Sequence, residues 1–254
     1  MKNEIIDALG IKIKKIVLTL KPVTIHLSPL IIVLKFRLKI LENRINAIDD
    51  KKIELEKLLS DFQNRHSREL GDILLEILRL RTLLFKSDKA KFEEAKKDEK
   101  QYHEQVIADK KQKKLRLNED EKKELKKKFR MASVLCHPDK VNEALKEAAK
   151  ETFILLKEAY DSNDLKKVTE ILSDLEKGNY FKSKSEIILK KELLKSEITK
   201  LRNRIKSLND EIQAIKNSNA YKTVVEISDW DSYFRKRKEI LERELKEMKK
   251  QINI

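Results

Sequence analysis

The sequence predicts an all-α fold of elongated, antiparallel coiled-coil hairpins flanking a small helical hairpin, and three observations carry that expectation. Charged residues make up 41% of the 254 residues and aromatic residues only 6%. That is too little bulky apolar surface to enclose one large core, but enough for long helices with narrow apolar seams. The chain holds three Gly and three Pro, none of them between Gly71 and Pro138 or after Gly178, so long stretches run without a breaker. Apolar residues recur at spacings of three and four over most of the chain, the period of a helix buried along one side.

Residues 1–33 form an N-terminal segment of irregular pattern. Ile11, Ile13, Leu18, Leu20, Val23, Ile25 and Leu27 roughly alternate with polar residues, as in a short hairpin, and Pro22 and Pro29 interrupt them. Leu30–Leu34 is apolar but too short to span a bilayer, and no small-residue cleavage site follows it. It reads as a packing segment, with membrane association or client binding as the other uses open to it. Residues 34–117 read as N-terminal coiled-coil helices. Leu41, Ile45, Ile48, Leu55, Leu59 and Phe62 occupy a/d positions, with Lys52 in one such slot. The phase slips at Leu70-Gly71, and Ile73, Ile77, Leu80 and Leu84 resume it. Ser87-Asp88 marks a break and a new N-cap. A weaker helix over about Lys89–Lys114, with Phe92, Ala95, Tyr102 and Val106, is expected to fold back antiparallel.

Residues 118–178 carry the most specific signal. Asn118-Glu119-Asp120-Glu121 places acidic groups where a helix begins, favourable at its positive end. Leu125, Phe129, Ala132 and Cys136 then form one apolar stripe, while Lys122, Lys123, Lys126, Lys127 and Arg130 make the opposite face basic. Pro138 cannot continue that helix and pushes His137 out of helical conformation. Leu145, Ala149, Phe153, Leu156 and Tyr160 define a second helix. His137, Pro138 and Asp139 therefore sit at the tip of a loop between antiparallel helices. Asp161-Ser162-Asn163-Asp164 is a turn and cap, a short helix carries Leu165, Val168, Leu172 and Leu175, and Gly178 is a natural C′ residue.

This segment resembles the J-domain of DnaJ-like co-chaperones, whose mark is a His-Pro-Asp loop between a basic helix and a helix ending in Lys-Glu-Ala-Tyr. Here the loop is His137-Pro138-Asp139 and the run is Lys157-Glu158-Ala159-Tyr160. The resemblance covers about Asn118 to Ile171. The family's upstream Tyr-x-x-Leu-Gly pattern is absent, with Leu115 and Leu117 its nearest substitutes, and Cys136 stands where an aromatic often precedes the His. A divergent J-domain, its missing packing supplied by flanking helices, is what the resemblance implies. It further implies binding to a DnaK-type 70 kDa heat-shock chaperone and stimulation of that partner's ATPase. The partner-binding residues would be His137, Pro138, Asp139, Lys140, Lys126, Lys127 and Arg130, the cations meeting an acidic surface of the chaperone through complementary charge.

Residues 179–254 read as a C-terminal antiparallel coiled-coil hairpin. Ser183 and Glu186 fit a capping box. Leu194, Ile198, Leu201, Ile205, Leu208, Ile212 and Ile215 alternate spacings of four and three. After Asn217-Ser218-Asn219, Ser228 and Asp231 fit another box, and Trp230, Phe234, Leu241, Leu245, Met248 and Ile252 form a second seam. The arms would recruit an unfolded or specific protein client or join copies of the chain.

The formal net charge of +15 raises a nucleic-acid reading. The cations, however, are interleaved with Glu and Asp along helices, as on solvated coiled-coil faces. One Cys excludes an intramolecular disulfide and suits a reducing, cytoplasmic setting. His26, His66 and His103 are scattered, so no metal site is expected. No nucleophile with a base and no cofactor motif points to an enzyme. The alternatives that stay open are a coiled-coil scaffold with a non-signalling J-like segment and a basic nucleic-acid-binding protein.

Overall fold

One long helix, α1 (Pro29–Glu69), is the spine on which the other elements are laid in the computed structural model, which describes residues 28–111, 114–179 and 181–252. The hairpin expected within residues 1–27 lies outside these. Ser28 starts α1 by accepting the Ile31 N–H on its side chain (3.4 Å), and Pro29 at the first helical position has the right φ in advance. At 41 residues the helix is about 60 Å long. It stops at Leu70, where the apolar phase slips, and α2 (Gly71–Leu84) begins at once. The break lets Gly71 approach Val106 closely: a Cβ there would stand 3.2 Å from that side chain.

The described residues are all helical, apart from turns and one isolated bridge between Val141 and Ser183. After α2, Asp88 caps α3 (Lys89–Lys111) by accepting the Lys91 N–H. The ion pair Lys110–Asp72 (2.7 Å) and the hydrogen bond Thr82–Glu99 (3.1 Å) run α3 back along α2. The chain then builds α4 (Glu119–Cys136), α5 (Lys146–Asp161) and α6 (Leu165–Asp174). A turn of wider helix, Leu175–Asn179, is kinked at Gly178, whose φ is +108°. The short α7 (Lys184–Ile187) is followed by α8 (Lys191–Asn217), α9 (Asn219–Glu226) and α10 (Trp230–Ile252).

Three cores line the spine. Leu34, Leu38 and Ile45 of α1 are buried with Leu194, Ile198, Leu201, Ile205 and Leu208 of α8. Leu70 and Ile77 are buried with Phe234 and Leu241 of α10, and Phe62 meets the Trp230 ring edge-on at 5.2 Å. The third core closes α4, α5 and α6 on one another.

These packings correct the expected C-terminal hairpin. The α8 and α10 stripes do not close on each other; each packs on the N-terminal helices. Lys35 donates to the Glu186 carbonyl (3.1 Å) and Lys52 pairs with Glu211 (2.6 Å), so α8 runs parallel to α1. Arg65–Asp231 (2.6 Å) and Lys249–Glu76 (3.6 Å) set α10 parallel to the end of α1 and to α2. The physical reason is that a seven-residue seam specifies an apolar stripe without naming its partner. The α1 and α2 stripes were available, and α8 and α10 cover them.

Candidate partner-binding loop

The loop is positioned by the two helices that it joins. Asn118 caps α4 reciprocally: its side chain accepts the Glu121 N–H and the Glu121 carboxylate accepts the Asn118 N–H, both at 2.8 Å. Leu125, Phe129, Ala132 and Cys136 face inward against Phe153, Leu156, Ala159 and Tyr160 of α5 and Val168 and Leu172 of α6. Phe129 and Tyr160 stack with ring centres 4.2 Å apart, so the Tyr of the Lys-Glu-Ala-Tyr run clamps α5 on α4. Ile53 of α1 joins this core and Leu117 packs against it. The Leu115 N–H donates to the Ser162 carbonyl (2.9 Å), tying the segment that leads into α4 to the far end of α5.

His137 is extended, with φ −65° and ψ 121°, and Pro138–Lys140 make a single 3-10 turn. The Asp139 N–H donates to His137 Nδ1 (3.2 Å), which places the proton of a neutral ring on Nε2. Nε2 points to Asp49 of α1, 3.4 Å away, longer than a well-formed hydrogen bond. The ring lies 5.2 Å from Phe153 and is 2% exposed. The Asp139 carboxylate is 3.4 Å from the Arg204 guanidinium, and its carbonyl accepts from Lys184 (3.3 Å).

The basic residues divide. Lys126 pairs with Glu54 (3.0 Å), and Arg130 donates to the same carboxylate through Nε (3.0 Å). Lys127 stands exposed on the outer face, in line with Lys123, Met131 and Val134. Lys140 is buried, and its ammonium donates to the Val134 carbonyl (2.6 Å). It thereby satisfies one of the open carbonyls of the last turn of α4. Burial pushes its pKa down, and Lys39 adds to that, so in this arrangement Lys140 acts as a helix cap.

Four carboxylates of α1, none of them among the expected binding residues, border this site. Besides Asp49 and Glu54, Asp50 accepts from the buried Ser133 hydroxyl (2.8 Å). Burial pushes the Asp50 carboxyl up to about 6, against the lowering pull of Ser133, His137 and Arg130. Glu42, fully buried, accepts the Ser185 N–H (2.9 Å) and its hydroxyl. The signal that could have found them is the polar stripe Glu42-Asn46-Asp50 at helical spacing beside the a/d seam. It marks a second buried face of α1, on the side turned to α4 and α7.

Burial also pushes the Cys136 thiol up to about 12, so this lone Cys is an apolar core group at neutral pH. Among the described residues, no cluster of His, Cys, Asp and Glu is arranged to hold a metal, and no helix is long and apolar enough to cross a membrane. No family model, curated protein or solved structure matches the chain.

Proposed function

We propose that the chain is a DnaJ-like co-chaperone, whose His137-Pro138-Asp139 loop stimulates ATP hydrolysis by a DnaK-type 70 kDa chaperone and whose helical arms carry a client or join copies of the chain. The observation that carries this reading is the loop itself. A capped basic helix and a second helix, joined by the Phe129–Tyr160 stack, hold a single 3-10 turn whose Asp139 carboxylate is partly exposed beside Arg204. Such a loop does no chemistry of its own. It can favour one state of a partner ATPase by binding that state more tightly. The cations of α4 orient the encounter with an acidic surface, and the preformed turn lowers the ordering cost of docking.

The test is single-turnover ATP hydrolysis by such a chaperone with and without the protein, beside Asp139→Asn, which keeps the size and hydrogen-bonding reach of the side chain. Stimulation by the intact chain that Asp139→Asn abolishes without loss of helicity is the expected outcome. Stimulation unchanged in the variant would remove the loop from the function. One observation favours a second reading, a helical scaffold whose loop no longer signals: His137 is buried against Asp49. That reading predicts no stimulation under any condition.

A further inference from the structure

The surfaces of α1 facing α8 and facing the loop differ in kind. Toward α8, α1 presents an apolar seam that includes Leu34, Leu38 and Ile45. Toward α4 and α5, among the described residues, it contributes one buried apolar side chain, Ile53, to the hairpin core. Beside it, a series of polar contacts crosses that boundary. Asp49 faces His137, Asp50 accepts from Ser133, and Glu54 takes both Lys126 and Arg130. Glu56 pairs with Lys157 at 2.9 Å, and Lys57 donates to the Tyr160 carbonyl and to Asn163. On the other side of the turn the charges invert, with Lys184 and Arg204 on Asp139.

The hairpin completes its own core without α1 except for Ile53, whereas α1 and α8 are joined by a shared hydrophobic seam. A boundary made of ion pairs and hydrogen bonds gains little net free energy over solvated charges and weakens with salt. A continuous apolar seam does neither. The hairpin and the α1–α8 pair therefore meet as two units across a polar boundary, which is where relative motion is expected.

We infer that the α1 carboxylates Asp49 and Glu54, with Arg204 of α8, form a built-in cover over the loop and its basic helix, which occupies the charged groups a partner surface would need and lifts when that partner binds. The inference rests on the co-chaperone reading. It explains how a signalling loop and a buried His137 occur together: the chain already carries the complementary charges, and partner and cover compete for Lys126, Arg130 and the turn. The competition lowers apparent affinity by the fraction of time the cover is closed.

The test uses the full chain and the chaperone ATPase titrated with wild type, the pair Asp49→Ala/Glu54→Ala, and the same pair with Asp139→Asn. The uncovered pair is expected to reach half-maximal stimulation at a concentration on the order of tenfold lower than wild type, and Asp139→Asn to abolish the effect. Equal, Asp139-dependent stimulation by wild type and the pair would overturn the cover and leave the co-chaperone reading standing. No stimulation by any of them would overturn both. A second variant does not depend on weakening the fold: Glu56→Cys and Lys157→Cys, joined by a short bismaleimide, fix the cover shut outside the loop, with the buried Cys136 out of reach of the reagent. Stimulation lost on cross-linking is expected, and full stimulation by the cross-linked protein would overturn the inference.

Discussion

Asp50 shows how much one residue can depend on its surroundings. In sequence it is one acid among many; in the fold its carboxyl is buried beside Ser133, with Asp49 adding repulsion. Its folded pKa of about 6 stands above the ordinary 3.8, so the folded state binds the proton more tightly than the unfolded chain. The Asp50 contribution to stability is thus full below about pH 4 and is lost as pH rises through about 6. The loss is on the order of 3 kcal/mol. Asp50→Asn keeps an acceptor for the Ser133 hydroxyl and removes the titration. Urea midpoints across pH should show the variant gaining on wild type between about pH 4 and 6, with a level difference above; a constant difference across that range would contradict the assignment. The seven residues expected to bind a partner were legible individually, because a His-Pro-Asp turn and basic helical spacing are local patterns. Their partners Asp49, Glu54 and Arg204 were not, since each comes from a helix far away in sequence.

At the scale of elements, caps and apolar periods carried most of what the sequence revealed. Asp88 and Asp164 each accept a backbone N–H at the start of a helix, the Ser183 N–H donates to Glu186 as its capping box requires, and the slip at Leu70-Gly71 is a true break. The cap expected at Ser228 belongs instead to Asp229, which accepts the Asp231 N–H (2.9 Å); neighbouring short polar side chains compete closely for such positions. The α4–α5 pair stands on the Phe129–Tyr160 stack, and Phe129 is almost fully buried. Phe129→Ala should destabilise the protein by about 3–5 kcal/mol. Leu155→Ala, on the exposed side of α5 at 54% exposure, should stay within about 0.5 kcal/mol of wild type. Chemical denaturation of the two variants checks both values, and equal effects would show that the stack is not what joins the helices.

The whole molecule depends on which stripe meets which. Parallel packing of α8 on α1 brings Lys52 to Glu211, and parallel packing of α10 brings Arg65 to Asp231. Cysteines placed at 52 and 211 should therefore join within one chain on brief treatment with a bismaleimide, detected by mass spectrometry after proteolysis. Cysteines at Lys206 and Glu242, exposed beside the two apolar stripes, which a closed C-terminal hairpin could bring together, should not. The reverse pattern would restore the local hairpin. Gly71 offers a second check of assembly, because its missing Cβ makes room for Val106 of α3. Gly71→Ala and Val106→Ala should be non-additive by about 0.5–1 kcal/mol in a double-mutant cycle, with the alanine at 71 better tolerated beside the smaller residue.

Local sequence patterns were enough to establish that the chain is helical, where most helices begin and end, and that a His-Pro-Asp turn joins two of them. Those properties follow from interactions within a few residues: a missing N–H at Pro138, side chains that cap, and apolar groups three and four apart. It took the packing in space to show that α8 and α10 leave each other for α1 and α2, and that Asp49, Lys184 and Arg204 close in the turn while Glu54 pairs with the basic helix. Apolar stripes are interchangeable as partners until their geometry in space ranks them. The charges on the loop are the consequence of that ranking, carried to it by helices that associate through hydrophobic burial.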